Sequence, residues 1–159
     1  MNEPVFCPAC DAECSPRVET REETIRVRGE PQQAMAQVSV CPTCGQDLVH
    51  APRDDRALAS AYNAYRQRHG LLLPDDIRQL RERYGLSQRT MALLLGLDPG
   101  AVPRYEAGAL QNAAHDDLLR RFADPMIART MALPHRDQVS PRQWARFEQA
   151  TARPCRTEP

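Results

Sequence analysis

Residues 85–108 read GLSQRTMALLLGLDPGAVPRYEAG, and glycines divide this stretch into short helical patterns. Ser87 is a favourable N-cap for a helix whose apolar residues continue to Gly96. The small side chain of Ala92 lets a following helix approach closely, and Gly96 permits a tight reversal of the chain. The pattern predicts a helix-turn-helix, with residues 98–108 in the place of its second helix.

Helical signals extend outward from this motif in both directions. A helix that begins near Pro74 precedes the motif, and a helix over 113–122 would close its core, which gives a domain over residues 74–123. Residues 124–159 are predicted to form a C-terminal helical extension and tail, with helices over 126–133 and 141–150. These last helices would pack either on the core of their own domain or against a second copy of the chain.

Two prolines interrupt the second helix of the motif. If that helix began at Pro99, an interior Pro103 would cost about 3 kcal/mol. Alternatively, residues 98–101 form a turn and the helix begins at Pro103. Among residues 99–104 only Arg104 has a long polar side chain, so this segment offers few groups for reading bases.

Four cysteines near the N-terminus form two C-x-x-C pairs, Cys7/Cys10 and Cys41/Cys44. Each C-x-x-C turn directs two sulfur atoms to one point, and a hairpin between the turns would close a tetrahedral site. Four soft thiolates leave no open position for water, so they favour one structural Zn²⁺. Cys14 is an alternative to Cys10 as a ligand.

The hairpin itself is predicted between the two cysteine pairs. Residues 24–28 and 35–40 have the composition of strands, and residues 29–33 form a turn-prone break. Together these signals predict a zinc ribbon over residues 1–50. A helix without proline or glycine after Asp54 then links the two modules within residues 51–73, so the predicted fold class is α+β, a small zinc-ribbon β domain followed by an all-α helix-turn-helix domain.

Composition supports a globular chain with two differently charged parts. The chain has 159 residues and no net charge. Residues 1–50 contain four arginines and eight acidic residues, a net charge of −4, whereas residues 51–159 carry +4. No apolar run is long enough for a membrane span, and no secretory signal precedes the first cysteine, so the chain is expected in the cytoplasm. In that reducing compartment, cysteine pairs favour metal binding over disulfides.

The run LSQRTMALLLGL followed by RYEAG resembles the helix-turn-helix of Cro/repressor-like (XRE) proteins. Preceded by a zinc ribbon, it resembles the MqsA-type antitoxin family, with its YgiT-type zinc finger, over residues 7–122. The resemblance implies that residues 1–50 bind and neutralise a cognate toxin, typically an mRNA-cleaving ribonuclease. It further implies a homodimer whose helix-turn-helix binds a double-stranded operator and represses the toxin–antitoxin operon.

The same resemblance implies particular DNA contacts. Gln88 would face a phosphate or a base edge, and Arg104 would read a base, since arginine suits guanine in the major groove. Arg89 and Arg78 would contact phosphates. Gly100 stands where the family commonly has an asparagine that contacts a base, so base reading is expected to be weak. Glu106 is expected either to pair with an arginine or to cap backbone groups within the motif.

Two other functional classes stay open on the sequence alone. One is a zinc-containing transcriptional regulator of the same architecture without a toxin partner. The other is a protein-interaction adaptor that has lost DNA reading. An enzyme is not predicted, because no paired carboxylates, activated nucleophile or phosphate loop is placed for catalysis, and the histidines are scattered.

Overall fold

A computed structural model describes residues 4–152 and has an α+β fold, with β-strands first and helices after them. The chain divides into two compact units between His69 and Gly70. In the described range, no helix combines the length and the apolar character that a membrane crossing requires. Residues 153–159, the end of the predicted tail, lie outside the described range.

Over residues 4–69, the first unit has five antiparallel strands in two small sheets. Strand β1 pairs with β2, and β3, β4 and β5 form a sheet in that order. The strands are β1 Val5–Cys7, β2 Ala12–Cys14, β3 Arg17–Val27, β4 Glu30–Val40 and β5 Asp47–Leu48. The long β3–β4 hairpin therefore connects the two cysteine pairs, as the zinc-ribbon prediction requires.

The turn of this hairpin is shorter than predicted. Only Arg28 and Gly29 form it, with φ angles of 52° and 85°, and Val27 pairs directly with Glu30. Two central residues with positive φ belong to a two-residue type I′ turn, whose twist matches that of the flanking strands. The predicted break over residues 29–33 is therefore wrong beyond Gly29, because residues 30–33 continue the ladder as part of β4.

Helix α1, Ala51–His69, packs against β4 and β3 within the first unit. Its buried side chains include Ala57 and Ala61, and the facing strand buries Ala34 and Ala36. These small residues let the helix approach the sheet closely. The predicted linker of residues 51–73 is thus largely a packed helix, and the segment between the last turn of α1 and α2 is short.

Six further α-helices and one 3₁₀ segment make up the second unit over residues 70–152. They are α2 Pro74–Arg83, α3 Gln88–Leu94, α4 Ala101–Glu106, α5 Ala113–Phe122, α6 Pro125–Ala132, the 3₁₀ segment Leu133–Gln138 and α7 Pro141–Ala152. Ser87 caps α3 as predicted, since its Oγ accepts a hydrogen bond from the Thr90 amide at 3.1 Å. These helices share one core of eighteen buried residues.

Helix α4 begins at Ala101, so both predicted starting points, Pro99 and Pro103, are wrong. The Asp98 carboxylate accepts a hydrogen bond from the Gly100 amide at 2.9 Å and stabilises the turn before the helix. Pro103 then falls in the first helical turn, where amide groups have no partner inside the helix. The missing N–H of Pro103 consequently removes no helical hydrogen bond, and the expected 3 kcal/mol penalty does not arise.

The C-terminal helices pack on the core of their own unit. Phe147 of α7 is fully buried, and its ring lies 5.5 Å from that of Tyr84 and 6.1 Å from that of Phe122. Trp144 is buried beside it, with a centroid distance of 5.6 Å. Of the two predicted packing modes for this extension, the structure therefore shows packing within the chain.

Candidate metal centre and nucleic-acid interface

Four cysteine sulfur atoms meet at one point in the first unit. The Sγ atoms of Cys7, Cys10, Cys41 and Cys44 all lie within 4.8 Å of one another. The Cys7–Cys44 pair is separated by 3.6 Å and the Cys10–Cys41 pair by 3.9 Å. Zinc–sulfur bonds of about 2.3 Å in a tetrahedron place sulfur atoms about 3.8 Å apart. The four cysteines are thus positioned to bind one metal ion, and this donor set fits a structural zinc.

Short strands and tight turns position these cysteines. Cys7 ends β1, and Cys41 directly follows β4, so the hairpin brings the two C-x-x-C segments together. The Gly45 amide donates to the Cys41 carbonyl at 2.9 Å, and Gly45 adopts a φ of 75° that a glycine accommodates without strain. Cys7 and Cys41 are buried, and with Leu48 they form a small cluster. A metal bound by the four cysteines would therefore hold this end of the unit together in place of a larger apolar cluster.

The local environment prepares one cysteine for deprotonation. The backbone amides of Cys44 and Thr43 donate hydrogen bonds that lower the pKa of Cys41 to about 6. In contrast, a hydrogen bond with Cys44 and burial raise the pKa of Cys10 to about 12. Metal binding requires thiolates and releases the remaining protons. The affinity of the centre for a metal is consequently expected to fall at acidic pH.

Cys14 lies beside the centre without joining it. Its thiol donates to the carbonyl of Val5 at 3.6 Å, and the side chain packs against the buried cysteine cluster. Cys10, not Cys14, supplies the sulfur that completes the group of four. The alternative that Cys14 replaces Cys10 does not agree with this geometry.

A buried ion pair organises the helix-turn-helix of the second unit. Arg81 donates to the two carboxylate oxygens of Glu106 at 2.6 and 3.0 Å, which confirms the predicted ion pair of Glu106. Gln88 also donates to Glu106, at 2.9 Å. Burial opposes the charged form of Glu106, but the hydrogen bonds from Arg81 and Gln88 outweigh it and lower its pKa below 4.5. Gln88, predicted to contact DNA, is therefore held within the motif.

The predicted DNA-contacting arginines have different environments. Arg78 donates to Asp75 at 2.9 Å and to the carbonyl of Glu106 at 3.3 Å. Arg104 forms an exposed ion pair with Asp98 at 2.7 Å. Arg89 is exposed at the start of α3 and has no ion pair or side-chain hydrogen bond among residues 4–152. Of the four predicted DNA contacts, Arg89 alone is thus unengaged within the described chain.

Asp98 holds the predicted DNA-contacting Arg104, although the sequence pattern indicated Asp98 only as part of a turn. Its hydrogen bond from Arg104 lowers its pKa, and the Gly100 amide adds to this effect. A Cβ on Gly100 would lie 2.9 Å from Nη1 of Arg104 and 3.2 Å from Oδ1 of Asp98. The glycine therefore leaves room for the ion pair. In the sequence, this ion pair could have been predicted from an acidic residue that stands six positions before an arginine, across a Pro-Gly turn.

Comparison with known proteins adds one finding. The family model described as the antitoxin component of bacterial toxin-antitoxin systems, MqsA, matches residues 5–123. The match covers both the cysteine centre and the helix-turn-helix, and it ends before α6. No curated protein matches the chain significantly.

Proposed function

The chain belongs to the MqsA antitoxin family, and we propose that it neutralises a cognate ribonuclease-type toxin and represses its own operon. The first unit would bind the toxin, and the second unit would bind the operator DNA as part of a homodimer. Both activities consist of binding, without catalysis, in the cytoplasm. The observation that carries this proposal is the family match across both modules of one chain.

The surface of the first unit supports a role in protein binding. Phe6 is 53% exposed, Met35 60% and Val49 85%. Exposed apolar side chains of this kind are available for contact with a partner protein. Residues 1–50 carry a net charge of −4 before metal binding, and four thiolates on a divalent ion add about two negative charges. An acidic surface suits a ribonuclease toxin that is itself basic enough to hold RNA.

Co-purification with the product of the neighbouring gene tests neutralisation. We expect the untagged neighbour to be retained by the tagged full-length chain and its RNA cleavage to be blocked at a one-to-one ratio. Cys41→Ser should abolish both effects, because it removes a metal ligand from the toxin-binding unit. Cys14→Ser is the matched control and should leave both unchanged.

Two outcomes would contradict the toxin-binding role. A neighbour that is neither retained nor inhibited by the wild-type chain favours the regulator without a toxin partner. A neighbour that is inhibited equally by wild type and Cys41→Ser shows that the metal-centred unit is not required.

The arrangement of the helix-turn-helix supports DNA binding. Arg104 and Arg89 present exposed guanidinium groups on α4 and α3. The Arg81–Glu106 ion pair joins α2 to α4, and the hydrogen bond from Gln88 to Glu106 joins α3 to α4. Arg104 can read guanine once its exposed pair with Asp98 opens, since exposed ion pairs contribute only about 0–1 kcal/mol. A homodimer would place two such motifs on the half-sites of a palindromic operator.

Binding to the chain's own promoter, measured at stated salt concentrations, tests the repressor role. We expect the wild-type chain to bind this duplex more tightly than a scrambled duplex and to bind it as a dimer. Arg104→Ala should reduce the preference between the two duplexes to near one. Arg129→Ala, an exposed arginine on α6, is the control that should keep the preference. Equal preference in the wild type and Arg104→Ala would reject base reading by Arg104.

A further inference from the structure

We propose that Arg142 and Arg146 on α7 form a second DNA-backbone contact beside the helix-turn-helix. This inference rests on the proposed operator binding of the second unit, and it assigns a role to a helix that lies beyond the residues matched by the family model. The two arginines would bind phosphates of the duplex next to the helix-turn-helix and would supply affinity independent of base sequence.

Helix α7 contacts the chain immediately before α3. The side-chain oxygen of Gln143 accepts a hydrogen bond from the Ser87 amide at 3.4 Å. One turn further along α7, the Cβ of Arg146 would lie 3.3 Å from a Cβ placed on Gly85. Gly85 therefore allows α7 to approach the loop that leads to Gln88 and Arg89. Arg146 therefore lies directly beside this loop, and Arg142 is one helical turn before it on α7.

The buried face of α7 fixes the direction of its arginines. Trp144, Phe147 and Thr151 are buried in the second unit, and they recur at helical spacing. Arg142 and Arg146 are exposed and lie one turn apart on a different face. Because Phe147 packs against both Tyr84 and Phe122, the helix cannot shift without opening the aromatic core. The positions from which the two arginine side chains leave the helix are consequently set by the core of the unit.

The charges near this helix favour an external anion. Among residues 4–152, neither Arg142 nor Arg146 has an ion pair or a side-chain hydrogen bond, and Arg89 shares this condition. Glu82 lines the same surface cleft as Arg146, but its carboxylate lies 3.6 Å from Arg81. Three arginines without partners among residues 4–152 thus lie on α3 and on the helix that contacts the loop before it, whereas Gln88, Arg78 and Arg104 have partners inside the protein.

The second helix of the helix-turn-helix, α4, offers few groups for base contacts, so additional phosphate contacts would strengthen DNA binding. Pro99, Gly100 and Pro103 leave Arg104 as the one long polar side chain in residues 99–104. Few base contacts are available there, so a larger share of the binding free energy must come from phosphates. Arginines on α7 would provide that share, and a contact with phosphates raises the salt dependence of binding.

Fluorescence anisotropy across a salt series tests the inference with the full-length chain, its own promoter duplex and a scrambled duplex. The variant Arg142→Ala/Arg146→Ala should bind both duplexes roughly tenfold or more weakly near 0.1 M salt. The slope of log affinity against log salt should decrease in magnitude by about two per chain, since each phosphate contact contributes about 0.9. The preference between the duplexes should stay at its wild-type value.

Two further variants distinguish a local phosphate contact from a general effect of net charge. Arg121→Ala/Arg129→Ala removes the same charge from α5 and α6 and should retain wild-type affinity. Arg142→Lys/Arg146→Lys keeps the positive charges and should retain most of the binding. Thermal melting of each variant should match the wild type, because all four arginines are exposed.

The possible failures are distinguishable. If the wild type binds DNA and Arg142→Ala/Arg146→Ala binds equally well, the inference is wrong while the proposed repressor role stands. An equal loss in the Arg121/Arg129 variant shows an effect of net charge and also overturns it. A changed preference between the duplexes contradicts a phosphate contact. If the wild type binds neither duplex, the repressor role and the inference both fail.

Discussion

The two units of this chain reach stability by different means. In the second unit, eighteen buried residues from α2 to α7 form one apolar core. Around the cysteine centre of the first unit, the buried cluster consists of Cys7, Cys41 and Leu48, with three partly buried neighbours. Segments this small bury too little apolar surface to fold alone, and metal binding commonly supplies the missing free energy. We therefore expect the cysteine centre to depend on its metal, although the first unit also packs α1 against its sheet, whereas the second unit depends on its apolar core.

Loss of a metal ligand should give the largest difference between the units. Cys41→Ser removes a buried sulfur from the centre, and structural zinc sites contribute on the order of 10 kcal/mol. We expect no bound metal and rapid proteolysis of residues 4–50, measured by elemental analysis and by mass spectrometry of the fragments. Denaturant unfolding of the second unit, followed by the fluorescence of the single tryptophan, Trp144, should be unchanged. The core of that unit contains none of the four cysteine ligands.

Cys14→Ser is the control for this experiment, since Cys14 lies outside the group of four sulfurs. It should retain the metal and its resistance to protease. If Cys41→Ser kept both properties as well, the first unit would not depend on its metal.

Truncation of Phe147 should destabilise the second unit and leave the metal centre of the first unit intact. Its fully buried ring contacts three other aromatic rings, and loss of such a side chain costs about 3–5 kcal/mol. We expect Phe147→Ala to lower the denaturant midpoint of the Trp144 transition while the metal content stays at the wild-type value. Met126→Ala, at a side chain that is 79% exposed, should leave both unchanged. A loss of metal in Phe147→Ala would show that the two cores are coupled.

Neutralisation of Glu106 should have a smaller effect confined to the second unit. Glu106→Gln weakens hydrogen bonds to a charged, mostly buried Arg81, and such bonds contribute about 1.5–3 kcal/mol. At neutral pH, the free energy of unfolding measured by the fluorescence of Trp144 should fall by that amount, and the denaturant midpoint should fall with it.

The same ion pair predicts a pH dependence. Because the folded pKa of Glu106 lies below 4.5, its stabilising contribution is present above about pH 4.5 and disappears as pH falls through the folded value. The difference between wild type and Glu106→Gln should therefore shrink under acidic conditions. A difference that is constant with pH would contradict the assigned role.

The smallest expected change concerns the exposed pair of Asp98 and Arg104. Asp98→Asn keeps an acceptor for the Gly100 amide but removes the charge that holds Arg104. Stability should change by less than about 1 kcal/mol. Affinity for the promoter duplex should rise a few-fold, because Arg104 is released and a negative charge is removed near the phosphates. Weaker DNA binding would indicate that Asp98 positions Arg104 for its base.

Much of the architecture could be predicted from local signals. The cysteine spacing indicated the metal centre, and Ser87 with Gly96 indicated the borders of α3. Periodicity also located α5 and α7, since their buried faces recur every three or four residues. These features depend on residues close in sequence or on one strong chemical preference, so the sequence alone was sufficient to find them.

The remaining features depend on contacts between distant residues. Arg28 accepts the positive φ of the hairpin turn because strand pairing continues on both sides, and this pairing is invisible in composition. The start of α4 depends on the hydrogen bond between Asp98 and Gly100. The engagement of Gln88 by Glu106, and of Arg104 by Asp98, required the three-dimensional arrangement. Sequence therefore indicated which residues could contact DNA, but not which ones are unengaged.

The metal content of the purified, full-length wild-type chain tests the central claim most directly. Elemental analysis combined with a thiol assay should give one zinc ion per chain and four thiols that react only after a chelator removes the ion. A folded chain that contains no metal, with all described cysteines reactive from the start, would contradict the metal-dependent first unit.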